Sequence, residues 1–320
     1  MDLGLPTDND ALFTGDGADF YQYVTRDFKG EKSNPWEGGQ YGFVRNPVET
    51  PGGIIYSRFH EGIDIKPLQR DARGEPLDEV RAIADGKVVY ANLAAGASNY
   101  GRYVVVEHHW EGSDYYSLYG HLASVAVEPG RKVSRGERLG IMGHTGDGLD
   151  QTRAHVHLEL NLMLSRHFQA WYVNSIKSDP NRHGIYNGIN LNGLDIARLY
   201  LAQRRRPGLT IPQFLADEET FYKVALPGGG NLDLVERYPW LLRKAPPTPP
   251  ASWVVSFNAA GVPLQVTPGE DAVPSPTLAY VKKTSGSYAE RTRGMVTGSG
   301  EKARLSENAQ RLMQLLIWPE

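Results

Sequence analysis

Short apolar runs that alternate with glycine-containing turns occupy the chain between about residues 38 and 165. The runs Gly86–Tyr90 and Tyr103–Val106 are rich in β-branched and aromatic residues, which favour strands. Between Ala154 and Leu160 polar and apolar side chains alternate, so successive residues should point to opposite faces of a strand. The pattern predicts a mainly β region built as a compact antiparallel sheet.

Helical spacing of apolar residues appears in the carboxy-terminal part of the chain. Between Leu191 and Arg205 such residues recur three and four positions apart, which predicts a helix with Asn192 as its N-cap. A second helix is predicted from Ser306, its N-cap, to Ile317, because an apolar stripe follows the serine. We therefore expect three parts: an amino-terminal extension over residues 1–37, the β region over 38–184, and a mixed α/β region over 185–320.

Composition agrees with a folded globular protein. The 320 residues are 40% hydrophobic and 22% charged, enough for two modest domains, and the net charge of −3 gives no electrostatic case for binding nucleic acid or an anionic membrane. No apolar stretch approaches the ~20 residues of a transmembrane helix, and no signal peptide is visible at the first residues. Because cysteine is absent, disulfides, thiolate ligands and cysteine nucleophiles are excluded, and any metal must be held by nitrogen and oxygen.

Three short histidine and aspartate motifs lie within the predicted β region. They read His60-Glu61-Gly62-Ile63-Asp64, Gly120-His121-Leu122 and His155-Val156-His157. His155 and His157 should project from one face of a strand, although such a pair alone is also common among ordinary buried histidines. A spacing of four would place His60 and Asp64 on one helix face, but Gly62 favours a turn that brings them together. Histidine and aspartate offer the nitrogen and oxygen ligands of catalytic zinc sites, which typically use three protein ligands and leave one position open.

Taken in order, these motifs and their surroundings resemble the lysostaphin or LytM-type zinc endopeptidases of bacterial cell walls. The resemblance covers roughly residues 38 to 165 and implies a lysostaphin-like antiparallel sheet. The family often has a glycine just before its His-x-His motif, where this chain has Ala154, and the polar segment Asp147–Arg153 before it is expected to form a loop beside the cleft. The matching blocks are Gly38–Phe43, Phe59–Asp64, Val80–Val89, Gly101–His108, Tyr119–Leu122, Val133–Gly140, Gly143–Gly146 and His155–Glu159.

The resemblance implies a role for each member of the set. His60, Asp64 and His157 match the family's zinc ligands, with one Zn²⁺ per chain. His121 and His155 match the two histidines that flank the reacting water and the scissile carbonyl, and the resemblance leaves open which of them is the general base. Glu61 is expected to point away from the metal. The implied activity is zinc-dependent hydrolysis of peptide bonds in peptidoglycan cross-bridges or stem peptides, with residues 38–184 as the catalytic domain and 185–320 as an accessory region of unassigned role.

Two alternatives stay open on the sequence. A non-catalytic peptidoglycan-binding or hydrolase-activator module shares the fold, but such relatives usually lack one or more metal-site residues, and here all five are present. The second alternative is a zinc hydrolase that acts on some other peptide or amide. Since wall-cutting enzymes meet their substrate outside the cytoplasm, the resemblance also implies export to the periplasm or cell envelope. The expected partners are peptidoglycan peptides, with neither nucleic acid nor a membrane span.

Overall fold

Strands dominate the first half of the chain in the computed structural model, which describes residues 1–177, 179–229, 232–243, 245–246, 248–284 and 286–319. The amino-terminal segment forms α1 (Ala11–Thr14), α2 (Gly17–Phe20), β1 (Arg26–Phe28) and β2 (Glu31–Ser33). The strands that follow are β3 (Gly42–Thr50), β4 (Gly53–His60), β5 (Ile63–Ile65), β6 (Glu79–Arg81), β7 (Gly86–Asn92), β8 (Arg102–Trp110), β9 (Ser113–Leu122), β10 (Ser124–Val125), β11 (Lys132–Val133), β12 (Arg138–Ile141) and β13 (Val156–Met163).

Helices and strands are interspersed after β13. They are α3 (Phe168–Ser175), β14 (Leu191–Gly193), α4 (Ile196–Arg205), α5 (Ile211–Leu215), β15 (Tyr222–Pro227), α6 (Asp233–Arg237), β16 (Ser252–Phe257), β17 (Pro263–Gly269), β18 (Thr277–Val281), α7 (Tyr288–Arg291), β19 (Val296–Thr297), β20 (Arg304–Leu305) and α8 (Glu307–Leu315). A second sheet there has the order β17-β16-β15-β18. The carboxy-terminal part is therefore mixed α/β, as its sequence pattern predicts.

The main sheet runs in the order β11-β7-β8-β9-β13-β14, and β5 also pairs with β13. Every pairing in this sheet is antiparallel, which confirms the predicted mainly β, antiparallel architecture. All residues of β13 are buried, so both faces of this strand are covered. The sheet thus encloses β13 between β9 on one side and β5 and β14 on the other.

The register of β13 determines what lies around its first residues. His157 on β13 lies opposite Asp64 on β5 and opposite Gly120 on β9. Because partners in an antiparallel ladder have Cα atoms about 4.5–5.5 Å apart, this register brings segments from three distant parts of the chain into one row. The histidine and aspartate motifs meet at this end of the sheet.

The predicted helix from Leu191 to Arg205 is wrong at its start. Leu191–Gly193 form β14, which extends the main sheet by pairing with β13, and the helix begins only at Ile196. Its N-cap is Asp195, whose carboxylate accepts the Arg198 backbone N–H at 3.0 Å, whereas Asn192 donates its side-chain amide to the Gly261 carbonyl at 2.5 Å. Leu191–Gly193, which the periodicity assigned to a helix, therefore pair with the edge of β13. The second helix is α8, with Ser306 as its N-cap as predicted.

A continuous cluster of buried apolar side chains forms the core. Its members come from all three predicted parts of the chain, for example Phe20, Leu160, Leu199, Phe257 and Met313. The division into an extension, a catalytic domain and an accessory region stays a prediction. Among the described residues, none of the helices is both long and apolar enough to cross a membrane.

Candidate metal centre

The five site residues predicted from the sequence line one cleft, with a volume of about 1400 Å³. His60 ends β4, Asp64 is the central residue of β5, and His121 lies near the end of β9. His155 directly precedes β13, and His157 is its second residue. Gly62, between His60 and Asp64, packs so closely on the Leu158 carbonyl that a Cβ would overlap it, so glycine permits the turn that the sequence predicts.

Three ligand atoms converge at the base of the cleft. His60 Nε2 lies 3.1 Å from His157 Nδ1 and 3.1 Å from Asp64 Oδ1, and the last two atoms are 3.0 Å apart. All three residues are buried. Zinc bonds to such ligands are about 2.0–2.2 Å long, so two corners of a tetrahedral site are about 3.3 Å apart. The triangle of donor atoms therefore fits three corners of a zinc site.

A backbone carbonyl determines which nitrogen of His60 faces this triangle. Nδ1 of His60 lies 2.8 Å from the Gln40 carbonyl oxygen. Because a carbonyl oxygen only accepts hydrogen bonds, Nδ1 carries the proton and Nε2 presents its lone pair to the other two ligand atoms. The block Gly38–Phe43 thus contributes to the site through its backbone.

Glu159 holds the His157 ring so that Nδ1 faces the other ligand atoms, whereas His60 presents Nε2. Nε2 of His157 donates to Glu159 Oε1 at 2.8 Å, which directs Nδ1 at Asp64. Despite burial, these two carboxylates raise the pKa of His157 to about 9, so a metal ion bound at Nδ1 would displace a proton. Tyr100 donates its hydroxyl to the same oxygen at 2.8 Å, and Asn161 donates to the other at 3.0 Å. A carboxylate behind a metal-binding histidine fixes the ring and raises its basicity. Glu159 was not predicted as a site residue, although the alternation along β13 places it on the same face as His157.

Asp64 is held in place by the guanidinium group of Arg45. Arg45 donates from Nη2 to Asp64 Oδ2 at 2.5 Å and from Nε to the Gly38 carbonyl at 2.8 Å. Burial raises the pKa of the Asp64 carboxyl, but the charges of His155, His60 and Arg45 outweigh burial and hold the pKa well below its usual range. Asp64 is therefore an ionised oxygen donor, as a metal ligand must be.

The structure also brings His121 and His155 together beside the ligand atoms. Their ring centroids are 4.7 Å apart, and His155 Nε2 lies 3.2 Å from Asp64 Oδ1. His121 Nδ1 donates to the Thr145 carbonyl at 2.8 Å, and His155 Nδ1 donates to the Arg153 carbonyl at 2.7 Å. His121 Nε2 is therefore left free to accept a proton, whereas His155 Nε2 faces the carboxylate of Asp64.

His121 has two further unusual properties. Its φ of 63° lies in the left-handed region, which costs energy for a residue with a side chain and is found mainly where function or surrounding structure demands it. Burial, together with the charges of His155 and His157, lowers the pKa of His121 well below its ordinary value. The imidazole is neutral at physiological pH.

Glu61 takes no place among the three ligand atoms. Its carboxylate accepts a hydrogen bond from Arg293 Nη2 at 2.6 Å, so this side chain connects the turn after β4 to the carboxy-terminal region. The expectation that Glu61 stays outside the ligand set agrees with this contact. Arg293 was not predicted as a site residue, since nothing in the local sequence indicates that it contacts a segment 232 positions away.

Residues 58–172 match the sequence model of peptidase family M23. The peptidoglycan DD-endopeptidase ShyA of Vibrio cholerae is 45% identical over 76 residues, which are 24% of this chain and 16% of that protein. The murein hydrolase activator NlpD of Escherichia coli is 33% identical over 88 residues, 28% of this chain and 21% of that protein. The chain thus spans about a fifth of the length of these two relatives.

A shorter relative is matched almost throughout its length. The lipoprotein NlpD of Yersinia enterocolitica is 30% identical over 111 residues, which are 35% of this chain and 96% of that protein. Among solved structures, the catalytic domain of lysostaphin from Staphylococcus simulans is 28% identical and covers 38% of this chain and 76% of that chain, with a TM-score of 0.26. The family match over residues 58–172 includes all five site residues.

Proposed function

The chain belongs to peptidase family M23, and we propose that it is a zinc-dependent endopeptidase that hydrolyses peptide bonds in the cross-bridges or stem peptides of bacterial peptidoglycan. The observation that carries the proposal is the convergence of three ligand atoms within 3.1 Å of one another, with two further histidines beside them. The relative named as a peptidoglycan DD-endopeptidase supports the reaction and the substrate class.

His60, Asp64 and His157 would hold the zinc ion. Zinc at such a site supplies Lewis acidity, which polarises a peptide carbonyl and lowers the pKa of water. Glu159 and the Gln40 carbonyl keep both imidazoles in the tautomers that binding requires, and the protein therefore needs no rearrangement of these rings.

His121 and His155 would handle the protons of the reaction. Each ring donates from Nδ1 to a backbone carbonyl, so each presents Nε2 to the site and would exchange a proton with the attacking water through that atom. The imidazolium formed in this way then stabilises the oxyanion or gives its proton to the leaving amine. We propose these roles for the two residues as a pair.

A non-catalytic hydrolase activator is the second candidate, because one of the relatives is named a murein hydrolase activator. The complete set of three ligands and two proton-handling histidines favours the enzyme. A peptidoglycan substrate also implies that the protein works outside the cytoplasm, in the periplasm or cell envelope.

The two candidates differ in what the purified protein does alone. Protein prepared without chelators should contain one zinc ion per chain by elemental analysis and should release cleaved peptides from purified peptidoglycan without any other protein. Zinc far below one equivalent would contradict the endopeptidase proposal. Products that form only after a second hydrolase is added would identify an activator, and cleavage confined to peptides from outside the cell wall would identify a different peptidase.

A further inference from the structure

One face of β4 leads along the cleft to the metal ligand His60. Side chains two positions apart in a strand point the same way, so Tyr56, Arg58 and His60 share this face. Two residues of a strand span about 6.6 Å, so this distance separates the Cα atoms of Arg58 and His60. An arginine side chain is long enough to reach from Arg58 to the metal centre. Arg58 lines the cleft, is exposed, and forms no hydrogen bond or ion pair with any residue that the structure describes.

Two other guanidinium groups lie on the same side of the hairpin. Arg45 on β3 is the direct cross-strand partner of Arg58, and its charge is compensated by Asp64. Arg26 donates to the Val44 carbonyl at 3.2 Å and lies 4.8 Å from the centre of the Tyr56 ring. It has no carboxylate within ion-pair distance among the described residues. Like charges opposite each other destabilise a strand pair, so local folding does not explain this arrangement.

An independent cation lies on the loop that precedes His155. Arg153 lines the same cleft and donates from Nη1 to the Gly148 carbonyl at 3.2 Å. Its Nε is buried and finds no hydrogen-bond partner within the described ranges. Since Nε is closed to solvent, an acceptor that enters the cleft could reach only the Nη groups of Arg153. The loop is the one expected from its sequence to border the cleft.

The arginines that line the cleft outnumber the carboxylates that could neutralise them. Two of its carboxylates are already bonded to arginine, Asp64 to Arg45 and Glu61 to Arg293, and the other two make no ion pair among the described residues. The cleft is nevertheless richer in cations, although the whole chain has a net charge of −3. The lining contains the arginines Arg26, Arg45, Arg58, Arg153 and Arg293 and the carboxylates Asp27, Glu61, Asp64 and Asp147.

We propose that Arg58 and Arg153 bind carboxylate groups of the peptide substrate, with Arg26 adding positive charge beside Arg58, so that the cleft selects acidic peptides over their amidated counterparts. Guanidinium groups suit this role because they donate two parallel hydrogen bonds to a carboxylate. The choice of a peptidoglycan peptide as substrate rests on the proposed function. The binding of its carboxylates is a separate property that does not depend on cleavage.

The test is isothermal titration of the full chain, as purified, with soluble uncross-linked stem peptides from peptidoglycan, used with free carboxylates or after conversion to carboxamides. The free acids should bind about tenfold more tightly than the amides at low ionic strength, and the preference should shrink as salt screens the charges. Arg58→Gln and Arg153→Gln should each reduce the preference severalfold by weakening the acid form alone. Arg58→Lys should retain part of it, because the charge remains while the paired hydrogen bonds are lost.

Arg205→Gln is the matched control, since Arg205 lies on α4 outside the cleft lining. It should bind both forms as the wild type does. Equal affinity for acid and amide forms, no binding of either, or a preference that survives in both glutamine variants would each overturn the proposal. Unchanged zinc content and circular dichroism exclude misfolding. Selective binding without cleavage would instead contradict only the proposed endopeptidase function.

Discussion

Nε2 of His157 donates a hydrogen bond to Oε1 of Glu159 at 2.8 Å, and Nδ1 of the same ring faces Asp64. The two residues are neighbours on one face of β13, and Glu159 is fully buried. A carboxylate in this position both orients the imidazole and increases its electron density at Nδ1. The zinc affinity of the proposed site should therefore depend on a residue that does not belong to the proposed ligand set.

Glu159→Gln should weaken zinc binding about 10- to 100-fold, because a neutral amide holds and polarises the His157 ring less well. The zinc affinity is measured by competition with a chromogenic chelator. Tyr100→Phe removes only one of the hydrogen bonds to Glu159 and should have a smaller effect in the same direction. Glu128→Gln, an exposed substitution, is the control. Equal zinc affinities for wild type and Glu159→Gln would show that Glu159 has no part in the metal site.

Replacing His121 or His155 by alanine should reduce kcat on cross-linked peptidoglycan about 10²- to 10⁴-fold, the range for loss of a general acid or base. Both variants should keep one zinc ion per chain, since neither residue belongs to the converging triangle of ligand atoms. Zinc content and release of peptide products are measured on the same preparations. His109→Ala, which removes an exposed histidine, should leave both quantities unchanged. Retained activity in both test variants would contradict the proposed roles.

The strands of the main sheet were accessible from the sequence because each strand depends on local alternation. The pattern from Ala154 to Leu160 predicts a strand with His157 on one face, and β13 has this geometry. Gly62 likewise indicates the turn between His60 and Asp64, where its missing side chain allows close packing on β13. Such features are encoded within a few residues of where they act.

Contacts between distant segments could not be predicted in the same way. The bond from Arg45 to Asp64 depends on how the β3–β4 hairpin packs over β5, and no periodicity encodes that packing. The strand at Leu191–Gly193 forms because β13 offers a free edge, which overrides the helical spacing of the same residues. Tertiary pairing decides short segments whose local preference is weak.

The ion pair between Arg293 and Glu61 connects the carboxy-terminal region to the turn beside His60, one of the proposed metal ligands. The guanidinium also lies 4.6 Å from the centre of the Phe59 ring, and both charged side chains are about one-third exposed. Because partly exposed pairs are screened by water, we expect a coupling free energy of only about 0.5 kcal/mol. A double-mutant cycle of Arg293→Gln and Glu61→Gln, read by urea unfolding, measures it.

The coupling of Arg293 and Glu61 should decrease at high salt, as screening predicts. The exposed pair Lys29–Glu49 provides the comparison, and its coupling should be smaller. Additive effects of the two substitutions on the free energy of unfolding at low salt would show that Arg293 and Glu61 do not stabilise each other.

His108 makes the stability of the protein depend on pH. The ring is fully buried in the main sheet, outside the cleft lining, with Nδ1 bonded to the Asp85 carbonyl at 2.8 Å and Nε2 at 2.7 Å from Ser117 Oγ. Burial lowers the pKa of His108 to about 4, against a smaller opposing effect of the bond to Asp85. Between pH 6.5 and 4 the unfolded chain takes up a proton that the native ring refuses, so the free energy of unfolding falls as the pH is lowered.

The loss from this one group should reach about 3 kcal/mol near pH 4 and should vanish above pH 7. His108→Gln cannot titrate, so its free energy of unfolding should fall less steeply than that of the wild type over this range, even though lost packing makes it less stable at pH 7.5. Urea unfolding in the presence of a chelator, from pH 7.5 to 4.5, measures both proteins without a metal contribution. His109→Gln, on the same strand but exposed, should follow the wild-type curve, and parallel curves for wild type and His108→Gln would mean that burial does not keep the native ring neutral.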